Sequence, residues 1–403
     1  MPTCKKILCA LLSLMLVMTV ASCGAQPKTQ KGAAKIIDSK TIELGTDNFF
    51  GICNSLYEGE KYGKSEYKKS IEIMKAMGIK SIRLWMHCDF FMSDANTFKE
   101  EELALMKQIV ADVQAADIEI IGMNHHWFSG SPDTMATPPR DMKDGSPYTK
   151  FLLNYDQTWY NIVKTFPEIT MWEIGNEWNN DMFLHPYEYK TKGSIYTFSE
   201  KVNITTDMLY YGSRGIHRAN PKALTVLGGL VYVYETNYGN ARNFLKRIYE
   251  NITGGDYPST EPDDYFQIVC WHPYAQDSTA GSSDGWAQGN LDIYAVVKEF
   301  EGHDKPVIFS EMGFTDYGEE SSDAQQAENM KVAIRQIQEK MPFAKRLHWF
   351  TMYNDRTAES WGGLKEVYFG LMEEPKEGFF AKAKGKAYQE LAGGTGDLDM
   401  YRQ

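Results

Sequence analysis

Ile169-Thr170-Met171-Trp172-Glu173-Ile174-Gly175-Asn176-Glu177-Trp178 begins as a near-continuous apolar strand and ends in a polar cluster. A strand of this kind, with scarcely any alternation, is expected where both faces of a sheet are covered. An amphipathic helix is expected before it, near 150–166, and another after it, near 199–219. Upstream, the same unit recurs. A strand at 49–52 precedes a helix carrying Tyr67, Ile71, Met74 and Met77 on one face, with Gly78 as its stop. A strand at 81–85 precedes a helical stripe of Leu103, Met106, Val110 and Val113, and a third strand follows at 118–123.

Downstream, strands are expected at 223–227, 265–270, 306–309 and 346–351, with helices near 240–250 and 291–300. A further helix carries Ala327, Met330, Ile334, Ile337 and Met341, and Ser322 and Gln325 have the spacing of a capping box. A last helix near 378–391 ends at Gly393-Gly394. Eight strands alternating with helices imply a parallel sheet, and eight units imply a single (β/α)8 TIM barrel of the α/β class, over 47–393. Residues 394–403 are left as a C-terminal tail. An open doubly wound sheet would announce itself by a glycine-rich turn after its first strand, whereas Cys53-Asn54-Ser55-Leu56-Tyr57 stands there.

The 403 residues are 24% charged and 43% hydrophobic, a folded globular composition. A net charge of −12 argues against holding nucleic acid or anionic lipid through the general field of the protein. With 24 Tyr, 20 Phe and 9 Trp, the chain has large aromatic faces to bury or to offer a ligand.

At the N-terminus Lys5 and Lys6 precede an apolar run, 7–21, too short and too early for a spanning helix. Val20-Ala21-Ser22-Cys23 resembles the lipobox of bacterial lipoproteins. That resemblance implies a signal peptide at 1–22, a lipidated Cys23 and a tether at 23–46. It also implies export, with the protein lipid-anchored to the cell envelope. Cys4 and Cys9 would leave with the signal, so Cys53, Cys88 and Cys270 remain, an odd number that leaves at least one free thiol. No Cys-x-x-Cys occurs, which argues against a structural zinc site.

In a barrel of this kind chemistry gathers at the C-terminal ends of the strands. The fourth strand runs into Asn176-Glu177 and the seventh into Glu311, nearly opposite across the barrel mouth. Two carboxylates facing across a cleft suit glycoside hydrolysis. On these motifs the chain resembles the clan A glycoside hydrolases, retaining (β/α)8 glycosidases, and within them family 5. The resemblance implies Glu177 as acid/base, Glu311 as nucleophile, and Asn176 as a donor to the sugar 2-hydroxyl. It also implies that Arg83 orients the nucleophile and lowers its pKa, and that Tyr274 donates a hydrogen bond near it. His125, with His126 as the alternative, His272 of His272-Pro273-Tyr274, and Trp349 as the floor of the scissile subsite complete the implied substrate-binding set. Trp178 departs from the family, which follows its Asn-Glu with proline.

Glu173, inside the strand, is expected to have a buried polar partner rather than a catalytic role. Trp127, Trp178, Trp271 and Trp361 are candidates for core or for sugar platforms. Metal-dependent barrel hydrolases begin with His-x-His on the first strand, which carries no histidine here, so neither metal nor cofactor is expected. The expected substrate is a β-linked oligo- or polysaccharide of β-glucan or β-mannan type, acted on by a monomer, with the carboxyl groups of Glu177 and Glu311 roughly 5–5.5 Å apart. The alternative is a non-catalytic carbohydrate-binding lipoprotein on the same barrel.

Overall fold

The computed structural model describes residues 35–57, 59–231, 240–275, 284–318, 322–373 and 380–401. Eight strands alternate with eight principal helices. The strands are β1 (Phe50–Asn54), β2 (Ser81–Trp85), β3 (Glu119–Asn124), β4 (Met171–Ile174), β5 (Leu224–Leu227), β6 (Val269–Cys270), β7 (Val307–Met312) and β8 (Ala344–Trp349). The helices are α1 (Gly59–Met77), α2 (Glu100–Ala115), α3 (Pro147–Thr165), α4 (Phe198–Ala219), α5 (Ala241–Thr253), α6 (Asp284–Glu301), α7 (Asp323–Lys340) and α8 (Ala383–Ala392).

The strands pair in parallel in the order β6-β7-β8-β1-β2-β3-β4-β5. Bridges Val226–Ile268 and Leu230–Trp271 close β5 against β6. This is the (β/α)8 barrel that the alternation predicts. β6 is shorter than expected because Pro262–Asp264 forms a 3-10 turn just ahead of it, and the segment then joins β5 by single bonds such as Gln267 N to Thr225 O, 2.8 Å.

Local chemistry sets the helix ends. The Ser146 hydroxyl accepts from Thr149 N ahead of Pro147, and Thr197 with Glu200 forms a full capping box on α4. Ser322 caps α7 through Gln325 N. Gly393 closes α8 in the left-handed conformation, φ 72°.

Two boundaries differ from the sequence reading. The segment ahead of β1 is docked from about Ile37: Ser39 N donates to Asp263 at 2.8 Å, and Leu44 packs under an apolar layer of Ile121, Met171, Val226, Ile268, Cys270 and Ile308 inside the barrel. The C-terminal tail is also packed, with Leu398 and Tyr401 buried and Gly396 N bonded to Ala76 O on α1. Residues 1–34, and with them Cys23 and the signal, lie outside the described residues.

Candidate active site

Side chains alternate along a strand, so residues two apart share a face. Above the apolar layer of Met171 and Ile308 stand Glu173 and Ser310, both buried within the barrel. By the same rule Glu311 would point away. The β7–β8 register, however, slips between Phe309 and Met312, and such an irregularity re-aims side chains. Ser310 and Glu311 therefore both reach the centre. Glu177 is held by its own backbone, with φ 45° and its N–H bonded to Gly229 O at 2.8 Å. A left-handed conformation at a non-glycine residue is a recurrent mark of functional sites.

Arg83 organises the floor. Its Nε and Nη2 donate to Glu173 at 2.6 and 2.9 Å, a bidentate pair with both side chains fully buried. Nη1 donates to Glu311 Oε1 at 2.5 Å, and Nη2 also reaches Asn176 Oδ1 at 2.8 Å. Glu173 Oε1 accepts further from Gly229 N and Ser310 Oγ, each at 3.0 Å. Tyr274 donates to Glu311 Oε2 at 3.1 Å. His272 is fully buried, its Nδ1 2.7 Å from Glu177 Oε1 and its Nε2 3.0 Å from Ser310 Oγ. Gly229 makes room for that ring, since a Cβ there would collide with His272 Nε2.

Oxygens of Glu177 and Glu311 lie within 4.8 Å of each other. Burial pushes the Glu177 carboxyl up to about 7, against the pull of Arg83. Burial also raises Glu311, against His272 and Arg83. This corrects the expectation that Arg83 keeps Glu311 low: the guanidinium is shared with Glu173, and desolvation outweighs it. Because Arg83 touches Glu311 directly, a single proton shared by the pair settles on Glu177. Burial pushes His272 down to about 4 and Tyr274 well up, so both are neutral around pH 7.

Arg83, Asn176, Glu177, His272, Tyr274 and Glu311 thus converge. His125 stands at the end of β3 against the rings of His87, His126 and Phe183, at 4.4, 4.6 and 5.6 Å, with its buried Nδ1 making no hydrogen bond. His126 bonds Asp89 at 2.6 Å.

Trp349 is not the floor of a subsite. Its ring is fully buried on the outer face of β8 against Phe314 and Tyr388 of α8. Phe350, the next residue, faces the site instead, grouped with Cys53, Phe369, Trp85 and Tyr274. Trp127, Trp178 and Trp271 are core. Cys53, Cys88 and Cys270 are all free and buried.

The sequence reading missed Ser310, although period-two counting from Ile308 along an apolar strand would have put its hydroxyl inside the barrel. Among the described residues, three groups carry donors spaced for a metal ion: His87, His125 and His126; Glu173, Cys270 and His272; and Glu177, His272 and Glu311. In the last two, His272 already bonds Ser310 and Glu177.

The profile of the cellulase family, glycosyl hydrolase family 5, matches residues 37–349. Among curated proteins none matches. Solved structures with the same fold include a family 39 glycoside hydrolase from the gut symbiont Bacteroides cellulosilyticus, with TM-score 0.60 and 16% identity, over 89% of this chain and 65% of that one. A β-glucosidase from Thermotoga maritima in complex with deoxynojirimycin superposes with TM-score 0.63 at 14% identity, over 87% and 98%. A GH5_18 protein from Bifidobacterium longum subsp. infantis does so with TM-score 0.57 at 14% identity, over 88% and 79%. At these identities the likeness is one of fold. The chain spans about two thirds of the length of the first.

Proposed function

Since the chain belongs to glycosyl hydrolase family 5 and is a glycosidase, we propose that it cleaves β-linked glycans of β-glucan or β-mannan type with retention of configuration. Glu177 is the acid/base and Glu311 the nucleophile. The observation that carries this reading is the pair itself. One oxygen of each lies within 4.8 Å of the other, a close approach that favours the short carboxyl spacing of retaining enzymes, roughly 5–5.5 Å, over the wider gap that admits a water. Arg83 bonds one member and His272 the other, so one carboxyl is held for attack and the other for its proton.

In the first step a Glu311 oxygen bonds the anomeric carbon. The glycosidic C–O bond breaks with its electron pair on the leaving oxygen, which takes the Glu177 proton. In the second, Glu177 as carboxylate takes a proton from water, the resulting hydroxide oxygen bonds the anomeric carbon, and Glu311 departs with its electron pair. Asn176, held by Arg83 through Oδ1, keeps its amide donor for the 2-hydroxyl. Phe350, with Trp85 and Phe369, takes the place expected of Trp349 as an apolar surface for the C–H face of the sugar. His125 adds a polar contact on the β3 side.

The test uses aryl glycosides and azide. Glu177→Ala should still form the glycosyl-enzyme, and azide should then release a β-glycosyl azide. Glu311→Ala should form no intermediate, and azide should give the opposite anomer. Wild-type activity on β-glucans and β-mannans with both alanine variants unimpaired would overturn the assignment.

We also propose that Cys23, at the end of Val20-Ala21-Ser22-Cys23, is lipidated and anchors the mature protein to the bacterial envelope. Stable anchoring needs more than one acyl chain.

A further inference from the structure

The hydrogen bonds around His272 close on one another in a way that assigns its protons. Glu173 accepts from Arg83 Nε on Oε2 and from Arg83 Nη2, Gly229 N–H and Ser310 Oγ on Oε1, with the Cys270 thiol 4.0 Å from that same oxygen. Bidentate contact with a guanidinium keeps it a carboxylate, an acceptor only. Ser310 has one hydroxyl proton, and it must go to Glu173. The Ser310 oxygen can then only accept, and two groups approach it: the Cys270 thiol at 3.0 Å and His272 Nε2 at 3.0 Å. Burial keeps the Cys270 thiol protonated, so it donates. His272 must donate as well, which places its ring proton on Nε2.

A neutral imidazole with its proton on Nε2 has a bare lone pair on Nδ1. That atom lies 2.7 Å from Glu177 Oε1. Two acceptors cannot face one another at that distance, so Glu177 supplies the proton.

We propose that Ser310, oriented by Glu173, is a positioning residue that locks His272 in its Nε2–H form and thereby holds the catalytic proton on Glu177. The inference rests on the reading of Glu177 as acid/base and adds to it how the proton is kept there at rest. It also bears on the second step. Once Glu177 has given its proton to the leaving group, its carboxylate faces the Nδ1 lone pair, and taking a proton from water relieves that repulsion. The other charged or titratable groups around the pair are Arg83 from β2, Glu173 from β4, Cys270 and Tyr274 from β6 and its following loop, Glu311 from β7 and Glu366 from the 364–367 turn. None of them hydrogen-bonds Nδ1 in place of Glu177. The closest, Glu311 Oε2, is 3.7 Å away and already accepts from Tyr274.

Two readouts test this on the full chain. Imidazole 15N–1H spectra, with His272→Gln used to assign its signal among the 8 histidines, should show His272 as the Nε2–H tautomer in the wild type. In Ser310→Ala the lock is gone, and the Nδ1–H form, which can donate to an ionised Glu177, should appear. The alkaline limb of the pH profile on an aryl glycoside should then move toward acid by about one pH unit, a tenfold loss of proton affinity at Glu177. Ser310→Thr, which keeps the hydroxyl, should restore both signals. A wild-type His272 protonated on Nδ1 would overturn the proposal, and so would an alkaline limb that stays put in Ser310→Ala. Inactivity of the wild type on every glycoside would instead sink the functional reading, while the tautomer measurement still decides this one.

Discussion

Glu177→Gln should make the protein more stable while abolishing turnover on natural glycans, and the gain should depend on pH. Burial lifts this carboxyl from its ordinary 4.5 to about 7 in the folded state. Below pH 4.5 it is protonated in both folded and unfolded chains and contributes no difference. Between 4.5 and 7 the unfolded chain ionises while the folded chain keeps its proton, so the fold loses ground as pH rises. Above 7 both are ionised and the whole penalty is present. Each tenfold change in proton affinity is worth about 1.36 kcal/mol, so the penalty is about 3 kcal/mol. Glutamine cannot ionise, and its amide N–H can donate to His272 Nδ1 as the protonated acid does. The variant should therefore match the wild type near pH 4 and exceed it by about 3 kcal/mol at pH 8. With about 2.1 cal/mol/K of unfolding entropy per residue over a folded unit of roughly 370 residues, that is about 4 °C in Tm. Thermal unfolding of both proteins by circular dichroism from pH 4 to 8 measures it. A gap that does not change with pH, or one wider at pH 4 than at pH 8, would refute a Glu177 held neutral by its surroundings.

Glu173→Ala should act in the opposite sense. It breaks the bidentate buried pair with Arg83, leaves the guanidinium to Glu311 alone, and strips Gly229 and Ser310 of their acceptor, a loss of about 3–5 kcal/mol that calorimetry would register as a lower Tm. Gly229→Ala drives a methyl into His272 Nε2 and should lower kcat more than it changes KM; a variant with wild-type kcat would mean His272 does not bear on the proton step. The wild-type pH profile should be bell-shaped, with its alkaline limb near pH 7 from Glu177 and its acid limb above 4.5 because burial raises Glu311. Cys23→Ser should move the protein from the detergent phase to the soluble fraction without changing catalysis, and a variant that stays membrane-bound would rule out the lipobox as the anchor.

Much of this protein was legible in its residues alone. The eightfold alternation of apolar strands and amphipathic helices is a local property, set by side-chain periodicity and by caps such as Ser322, and it suffices for the barrel. The carboxylates of β4 and β7 could be singled out because that fold presents strand ends at one mouth. The finer facts depend on register and on burial, which no local pattern encodes. Trp349 and Phe350 are neighbours in sequence, yet one faces the helices and the other the site, because a single residue along a strand reverses the face. Ser310 and Glu311 both turn inward only through the slip between β7 and β8. Arg83 finds Glu173 and Glu311 across 90 and 228 residues of chain. The division of labour proposed for Glu177 and Glu311 rests on which of them the guanidinium bonds and how far each is taken from water. Desolvation and charge proximity exist only once the barrel has closed, and for that reason only the tertiary structure sets how tightly each of these carboxyls holds a proton.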